Sequence, residues 1–374
     1  MEAYSNISSI FAENFDISTL LIPNTIIISI GILLSICGNS MVMFIHWRKM
    51  NSLKNFRMFI PFLALSDSLA AIICSSTSIY QNFNWYTWTS KYLCKLAWFS
   101  MSLVQTNSAI LLFAIAVQRY LRICHPLRRP MKFRKKIGLL LFALCFLGFE
   151  SIPFIYFSDV VTHDDVLTNS NVSECRMLVN AELIHTVYRY ADDIFILIIV
   201  VIVTVLYIKS GLVISVLSKK ATQSNIIHNN KLGLLDKTQV PNGLEYIENS
   251  VDGVSRSFDA LDSSDTYGTT ERVSKPKRMT RSKCRKYRNI NIMFIVISFT
   301  AFFVYTPRTV FNILELHSTH FWFRLSKPEL RLWLAIKRWY LIMYCVNPFI
   351  YSIMDHQFRK ELKKMFCRLE TSSE

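Results

Sequence analysis

Asp67 stands in Leu63-Ala64-Leu65-Ser66-Asp67, inside an apolar stretch covering about residues 57–80. A charge at the centre of a bilayer costs roughly 2.5–3.5 kcal/mol on insertion scales, so a carboxylate at that depth needs partners or a task. Asn39, Ser108 and Asn347 fall at comparable depth in other apolar stretches. Together the four can form one buried polar network around a small cation, or serve as hydrogen-bonding glue between helices. Arg119 closes another stretch in Gln118-Arg119-Tyr120, where a snorkelling arginine is ordinary. Asn347-Pro348-Phe349-Ile350-Tyr351 closes the last, and Pro307 interrupts the one before it. Each proline frees a backbone carbonyl and permits a kink, which suits a bundle that changes shape as well as one that is statically bent.

The elements that carry these residues are long. Of the 374 residues 52% are hydrophobic, and they come in blocks rather than in alternating or heptad stripes. Leu21 to Ile45 and Leu96 to Val117 carry no formal charge, which is enough length to cross a hydrocarbon core as a helix. Seven blocks are visible, at about 21–46, 57–80, 95–123, 137–157, 188–217, 288–314 and 332–354. In lipid, blocks of this length satisfy their backbone only as helices, so the expected fold is an all-α seven-transmembrane bundle.

The net charge of +16 points to nucleic acid, an acidic partner or lipid-side loops. The basic residues lie between the blocks, which selects the third and excludes nucleic acid. Arg48, Lys49 and Lys54 follow the first block, and Arg128, Arg129, Lys132, Arg134, Lys135 and Lys136 follow the third. Asp159, Asp164, Asp165, Glu174 and Glu182 dominate the loop after the fourth. Positive loops stay cytoplasmic, which puts residues 1–20 outside and 355–374 inside, in a multi-pass plasma-membrane topology. The sequons at Asn6 and Asn171 then face outward as glycosylation candidates. Residues 1–20 lack the basic start of a cleavable signal. Cys94 and Cys175 are the cysteines on the oxidising side, and a disulfide between them is expected. Blocks one to five span 21–217 and blocks six and seven 288–354; the polar segment 218–287 is expected to be a disordered cytoplasmic loop ending in a basic cluster. That cluster suits anionic lipid or an intracellular partner. Phe358, Leu362, Met365 and Phe366 share one face of a short interfacial helix, followed by Cys367, a candidate for palmitoylation.

In this order, Gly38-Asn39, Leu63 to Asp67, Cys94, Gln118-Arg119-Tyr120, Cys175, Tyr207, Pro307, Asn347 to Tyr351, Phe358 and Cys367 resemble the rhodopsin-like (class A) G protein-coupled receptors. The resemblance implies a ligand bound in the outer half and outward movement of the sixth helix. It implies a cytoplasmic cleft lined by Arg119, with Tyr207 and Tyr351 swinging in, that receives a heterotrimeric G protein. Arrestin, receptor kinases and membrane lipids are the further partners it implies. Asp67, Ser108 and Asn347 match part of the family's sodium site; no other cofactor is implied. The chain departs from the pattern in several places. Gln118 and Tyr287 stand where acids usually flank the arginine, which predicts a weak inactive-state restraint and raised basal signalling. Tyr305 replaces the usual tryptophan, Ile199 the usual fifth-block proline, and Val104, Met343 and Tyr344 occupy other sodium-site positions.

Met101 stands where amine receptors of that family carry an aspartate, and Leu341 where opsins carry the retinal lysine, so neither ligand is expected. Gln105, Asp192, Arg308, Asn312, Lys337 and Tyr340, with Met101, are the candidate ligand-binding residues. Mixed charge there suits a peptide of neuropeptide type; a lipid or environmental small molecule is the alternative. A transporter or channel predicts internal repeats and a polar line through the bundle, and only the cluster at Asp67 is seen. A membrane enzyme predicts paired catalytic groups or a His-Glu-x-x-His motif, which the chain lacks.

Overall fold

The computed structural model describes residues 2–49, 58–125, 132–165, 170–178, 182–235, 281–317 and 325–371. Among them the chain runs α1 (Glu2–Leu20), α2 (Ile22–Phe44), α3 (Phe59–Phe83), α4 (Lys91–Cys124), α5 (Phe133–Ser151) and the short α6 (Pro153–Phe157). Next come β1 (Ser158–Asp165), β2 (Ser170–Met177), α7 (Glu182–Leu235), α8 (Arg281–His317), α9 (Lys327–Lys337), α10 (Met343–Met354) and α11 (His356–Thr371). Among the described residues six helices are long and apolar enough to cross a membrane: Ile22–Arg48, Phe59–Phe83, Lys91–Cys124, Arg134–Phe157, Tyr190–Leu217 and Arg288–Leu314. Their outer faces present Ile26, Ile30, Leu33, Phe142, Phe149, Ile198, Val201 and Phe303. Large apolar side chains left uncovered on every helix are what a lipid solvent tolerates and water does not.

The seventh block is built differently. It starts at Lys327, ahead of the expected 332, and is broken by a 3-10 turn at Trp339–Ile342 between α9 and α10. Lys337 and Arg338 sit at the break, so this segment is the least apolar of the seven in its first half. α9 begins with a capping box in which Glu329 Oε2 accepts from Ser326 N at 2.8 Å and Ser326 Oγ at 2.6 Å. α4 is capped by Ser90, whose hydroxyl accepts from Leu93 N at 3.3 Å. Asp355 opens α11 by accepting from Gln357 N at 3.0 Å and Phe358 N at 3.4 Å.

The loop expected from 218 does not start there. α7 continues to Leu235 and α8 begins at Arg281, ahead of the expected 288. Extending a helix that is already nucleated adds a hydrogen bond per residue, and no glycine or proline interrupts residues 212–232. The remainder of that loop, with Lys275, Lys277 and Arg278 of its basic cluster, lies outside the described residues. Residues 2–20, polar and acidic in sequence, form a helix whose Ile17, with Leu21, packs on Leu330 and Leu334 of α9.

The larger core cluster runs from Val42 and Leu63 through Ile115, Tyr207 and Phe294 to Tyr344 and Phe358. α2 and α10 approach closely at Gly38, where a Cβ would lie 2.9 Å from both Cβ and Cγ of Pro348. One end of the bundle carries the antiparallel β1–β2 hairpin, in register from Ser158 opposite Met177 to Asp165 opposite Ser170. The other end carries α11, packed beneath α10 through Phe358 and Leu362.

Candidate functional site

Three polar groupings lie along the bundle axis. The first is near the α11 end. Arg119, in the last turns of α4, is buried, and its Cζ lies 4.0 Å from the centroid of the Phe294 ring on α8. Phe294 stacks on Tyr207 of α7, with centroids 5.5 Å apart and planes at 19°, and tilts against Tyr351 of α10 at 6.5 Å. Asn291 Nδ2 donates to Tyr207 O at 3.3 Å, tying α8 to α7 one turn away. Tyr351 packs on Phe358 at 6.3 Å, and the buried His46 joins both rings at 6.3 and 6.0 Å. The buried hydroxyls of Tyr207 and Tyr351 have no hydrogen-bond partner among the described residues. An unsatisfied buried hydroxyl costs about 1–3 kcal/mol, so both favour a rearrangement that gives them one. Sequence reasoning placed Arg119, Tyr207 and Tyr351 here but missed Phe294, which links all three. Gln118 and Tyr120 flank the arginine on α4, and Tyr120 stacks edge-on against His125 at 5.6 Å.

The second grouping is at mid-depth. Asn347 Nδ2 donates to Asp67 Oδ2 at 2.8 Å, and Ser108 also hydrogen-bonds the Asp67 side chain. Ser66 and Ser108 hydroxyls lie 2.9 Å apart, and Asn107 Nδ2 donates to Ser66 Oγ at 2.8 Å. Asn39 and Ser35 both donate to Tyr344 O, at 2.8 and 2.9 Å, which ties the first crossing to the seventh by hydrogen bonds separate from those on Asp67. The expected trio Asp67, Ser108 and Asn347 is therefore gathered, and Asn347 Oδ1 is buried without a donor among the described residues. These oxygens fit a small hard cation such as sodium; Val104 and Met343 bring no oxygen to it. Tyr305 is buried a turn above, before Pro307, where Thr306 Oγ1 donates to Phe302 O at 2.7 Å within the α8 turn that Pro307 interrupts.

The third grouping lies towards the hairpin end. Arg308 of α8 donates to Gln105 Oε1 of α4, and its guanidinium sits 4.7 Å from the Tyr340 ring centroid. Asn312, one turn on, donates to both oxygens of Asp193, each at 3.0 Å. The Asp192 and Glu150 side chains are hydrogen-bonded, and Tyr188 OH donates to Glu150 Oε1 at 3.2 Å. Asp192 Oδ1 and Glu150 Oε2 are buried with no donor among the described residues. Asp192 and Asp193 both attract the Arg308 guanidinium, and Glu150 acts on Asp192. Met101 is half-buried two turns of α4 from the disulfide and packs on the core; Lys337 is half-buried at the end of α9. Asp193 was missed because two adjacent acids at a helix start look like a solvated terminus.

The hairpin closes over this end. Cys94 in the first turn of α4 is disulfide-bonded to Cys175 of β2, with Cα atoms 5.5 Å apart. Ser173 N donates to Tyr86 O at 3.0 Å and Trp88 N to Ser173 O at 3.1 Å, which clip β2 to the α3–α4 loop. Asn14 of α1 grips the same loop, donating to Phe83 O at 2.8 Å and accepting from Tyr86 N at 3.0 Å. The side chains of the sequon residues Asn6 and Asn171 lie outside the described residues; Cys367 is exposed on α11.

An apolar-faced bundle with a stapled hairpin and a polar cluster at one end, and an arginine clamped by aromatics at the other, defines a heptahelical membrane receptor. The profile of the 7 transmembrane receptor (rhodopsin family) matches residues 38–351, and the chain belongs to that family, which is one of receptors and not of enzymes. It is 33% identical to a QRFP-like peptide receptor of Branchiostoma floridae over 26% of this chain and 25% of that protein. It is 28% identical to octopamine receptor beta-2R of Chilo suppressalis over 42% of this chain and 40% of that protein. The human type-1 angiotensin II receptor is 30% identical over 39% of this chain and 40% of its own length. The chain thus spans between a quarter and two fifths of the length of these relatives.

Proposed function

We propose that the protein is a plasma-membrane receptor for an extracellular peptide with a basic group, and that it signals through heterotrimeric G proteins. The loop charges support a topology with the hairpin end outside and α11 inside. The observation that carries the ligand class is the carboxyl cluster Glu150, Asp192 and Asp193 beside the single guanidinium of Arg308. Two of its oxygens are buried with no donor among the described residues, and a ligand ammonium or guanidinium supplies what they lack. Asp159, Glu174 and neighbouring acids of the hairpin region attract such a ligand over about a Debye length. The relatives named for a QRFP-like peptide and for angiotensin II support the same class.

Ligand binding between α4, α7 and α8 favours the arrangement in which the α11 end of α8 moves away from Arg119. The rings of Tyr207 and Tyr351 are then free to turn their hydroxyls to the guanidinium, and the cleft opened takes the Gα C-terminal helix. Receptor kinases, arrestin, palmitoylation at Cys367 and a sodium ion at Asp67, Ser108 and Asn347 belong to the same reading.

A peptide-library screen in cells reporting calcium and cyclic AMP tests this. Asp192→Asn is expected to weaken the potency of a basic peptide by at least about tenfold, equivalent to about 1.4 kcal/mol. Arg119→Ala is expected to silence signalling while the labelled peptide still binds. Equal potency on Asp192→Asn overturns the ligand class, and undiminished signalling by Arg119→Ala overturns the coupling route.

A further inference from the structure

A second buried guanidinium lies at the hairpin end, across Tyr340 from Arg308. Arg338, at the break between α9 and the 3-10 turn, is 7% exposed. Its Nη1 donates to Asn24 Oδ1 at 2.8 Å and to Asn82 Oδ1 at 2.5 Å. The first turn of α2, the last turn of α3 and the seventh crossing therefore meet on one nitrogen. Asn82 is fully buried, and its Nδ2 donates to Thr25 Oγ1 at 2.8 Å, which fixes its carbonyl oxygen towards the arginine.

Both acceptors are neutral amides. The other terminal nitrogen, Nη2, is buried and has no acceptor among the described residues. Arg308 has Asp192, Asp193 and the Tyr340 ring to balance its charge. Arg338 has hydrogen bonds on one nitrogen and no carboxylate on either among the described residues. A guanidinium stays charged in any protein environment, and taking it out of water costs several kcal/mol that neutral acceptors only partly offset. Snorkelling does not relieve it, because the side chain is turned inward under α2 and α3 and not towards the headgroups. A fork with one prong saturated and the other bare is matched by a carboxylate, or end-on by a halide.

We propose that Arg338, oriented by Asn24 and Asn82, binds a monoanion at Nη2, supplied either as free chloride or as a carboxylate. The bound anion neutralises the junction of α2, α3 and the seventh crossing and so stabilises the hairpin end. This site is independent of the peptide reading, because it needs no ligand in the carboxyl cluster.

The purified full-length receptor in lipid nanodiscs is heated in N-methylglucamine salts of chloride, acetate and gluconate at equal ionic strength, gluconate being the reference because its six-carbon polyol is too bulky to bring its carboxylate to the buried Nη2. The expected result is a saturable rise of a few degrees in Tm with chloride or acetate over gluconate. A rise with chloride identifies a free halide; a rise with acetate alone identifies a carboxylate. Arg338→Gln loses the rise. Asn82→Asp supplies an internal counter-ion to Nη1 and is expected to be stable in gluconate and indifferent to chloride and acetate, which keeps the test decisive even where Arg338→Gln misfolds. Identical Tm for the wild type in all three salts overturns the proposal, and so does a saturable rise that survives in Asn82→Asp.

Discussion

Arg119 is held by an aromatic face. Its guanidinium lies 4.0 Å from the Phe294 centroid, so the contact that joins α4 to α8 at the α11 end is a cation–π pair in a buried place. Such a pair is worth about 1–2 kcal/mol when desolvated. Removing it shifts the ratio of open to closed forms by a factor of roughly 5–30. Phe294→Leu keeps an apolar side chain against Tyr207 and deletes the π face. It is therefore expected to raise ligand-independent G protein signalling several-fold at equal surface expression, read with a cyclic AMP or calcium reporter. Gln118→Glu adds an acid beside Arg119 and is expected to lower it. Unchanged basal signalling in Phe294→Leu means that the ring does not restrain the arginine. The arginine itself was legible in the sequence, because a charge ending an apolar block stands out. Phe294 was not, because one phenylalanine among many in such a block gives no sign of what it faces.

At the scale of elements, α2 meets α10 where the ring of Pro348 lies against Gly38. A Cβ at position 38 falls 2.9 Å from two atoms of that ring, which is too rigid to swing aside. Overpacking of this kind costs about 1–3 kcal/mol. Gly38→Ala is expected to lower the Tm of the purified protein and its surface expression. Gly31→Ala, two turns earlier on the same helix with nothing within 4 Å, is expected to leave the Tm level or raise it. Equal losses at both positions would attribute the effect to the helix and not to the contact. Uniform apolar length made six crossings readable. The seventh was displaced at its start because Lys337 and Arg338 interrupt it, and the chain accommodates them with a 3-10 turn and an amide cradle instead of lipid. The helix of residues 2–20 escaped because its Ile17, with Leu21, finds partners on α9, far away in sequence. Mixed charge identified the outer cluster, but the pairings Asn312 with Asp193 and Glu150 with Asp192 depend on helix rotation, which periodicity leaves open.

Over the whole molecule, the hairpin end is fastened from two sides, and the two fastenings differ in kind. The Cys94–Cys175 bond ties β2 to α4 covalently. Asn14 ties α1 to the α3–α4 loop by two hydrogen bonds, and Lys327 pairs with Asp16 at 3.1 Å on the surface. Both partners of that ion pair are about 60% exposed, and pairs of this kind contribute about 0–1 kcal/mol. The Asn14 bonds are part-buried and net about 1 kcal/mol each, so they, rather than the ion pair, hold α1 down. Amide hydrogen exchange on the ligand-free receptor separates the two. Asn14→Ala is expected to speed exchange at Tyr86, whose N–H loses its acceptor, by roughly fivefold or more for each 1 kcal/mol lost. Asp16→Asn is expected to leave Tyr86 within the error of wild type. Cys175→Ser is expected to speed exchange across Ser170–Met177 while Tyr86 keeps its Asn14 acceptor. If Asp16→Asn opens α1 as far as Asn14→Ala does, the surface pair is the fastening and the buried amide is incidental.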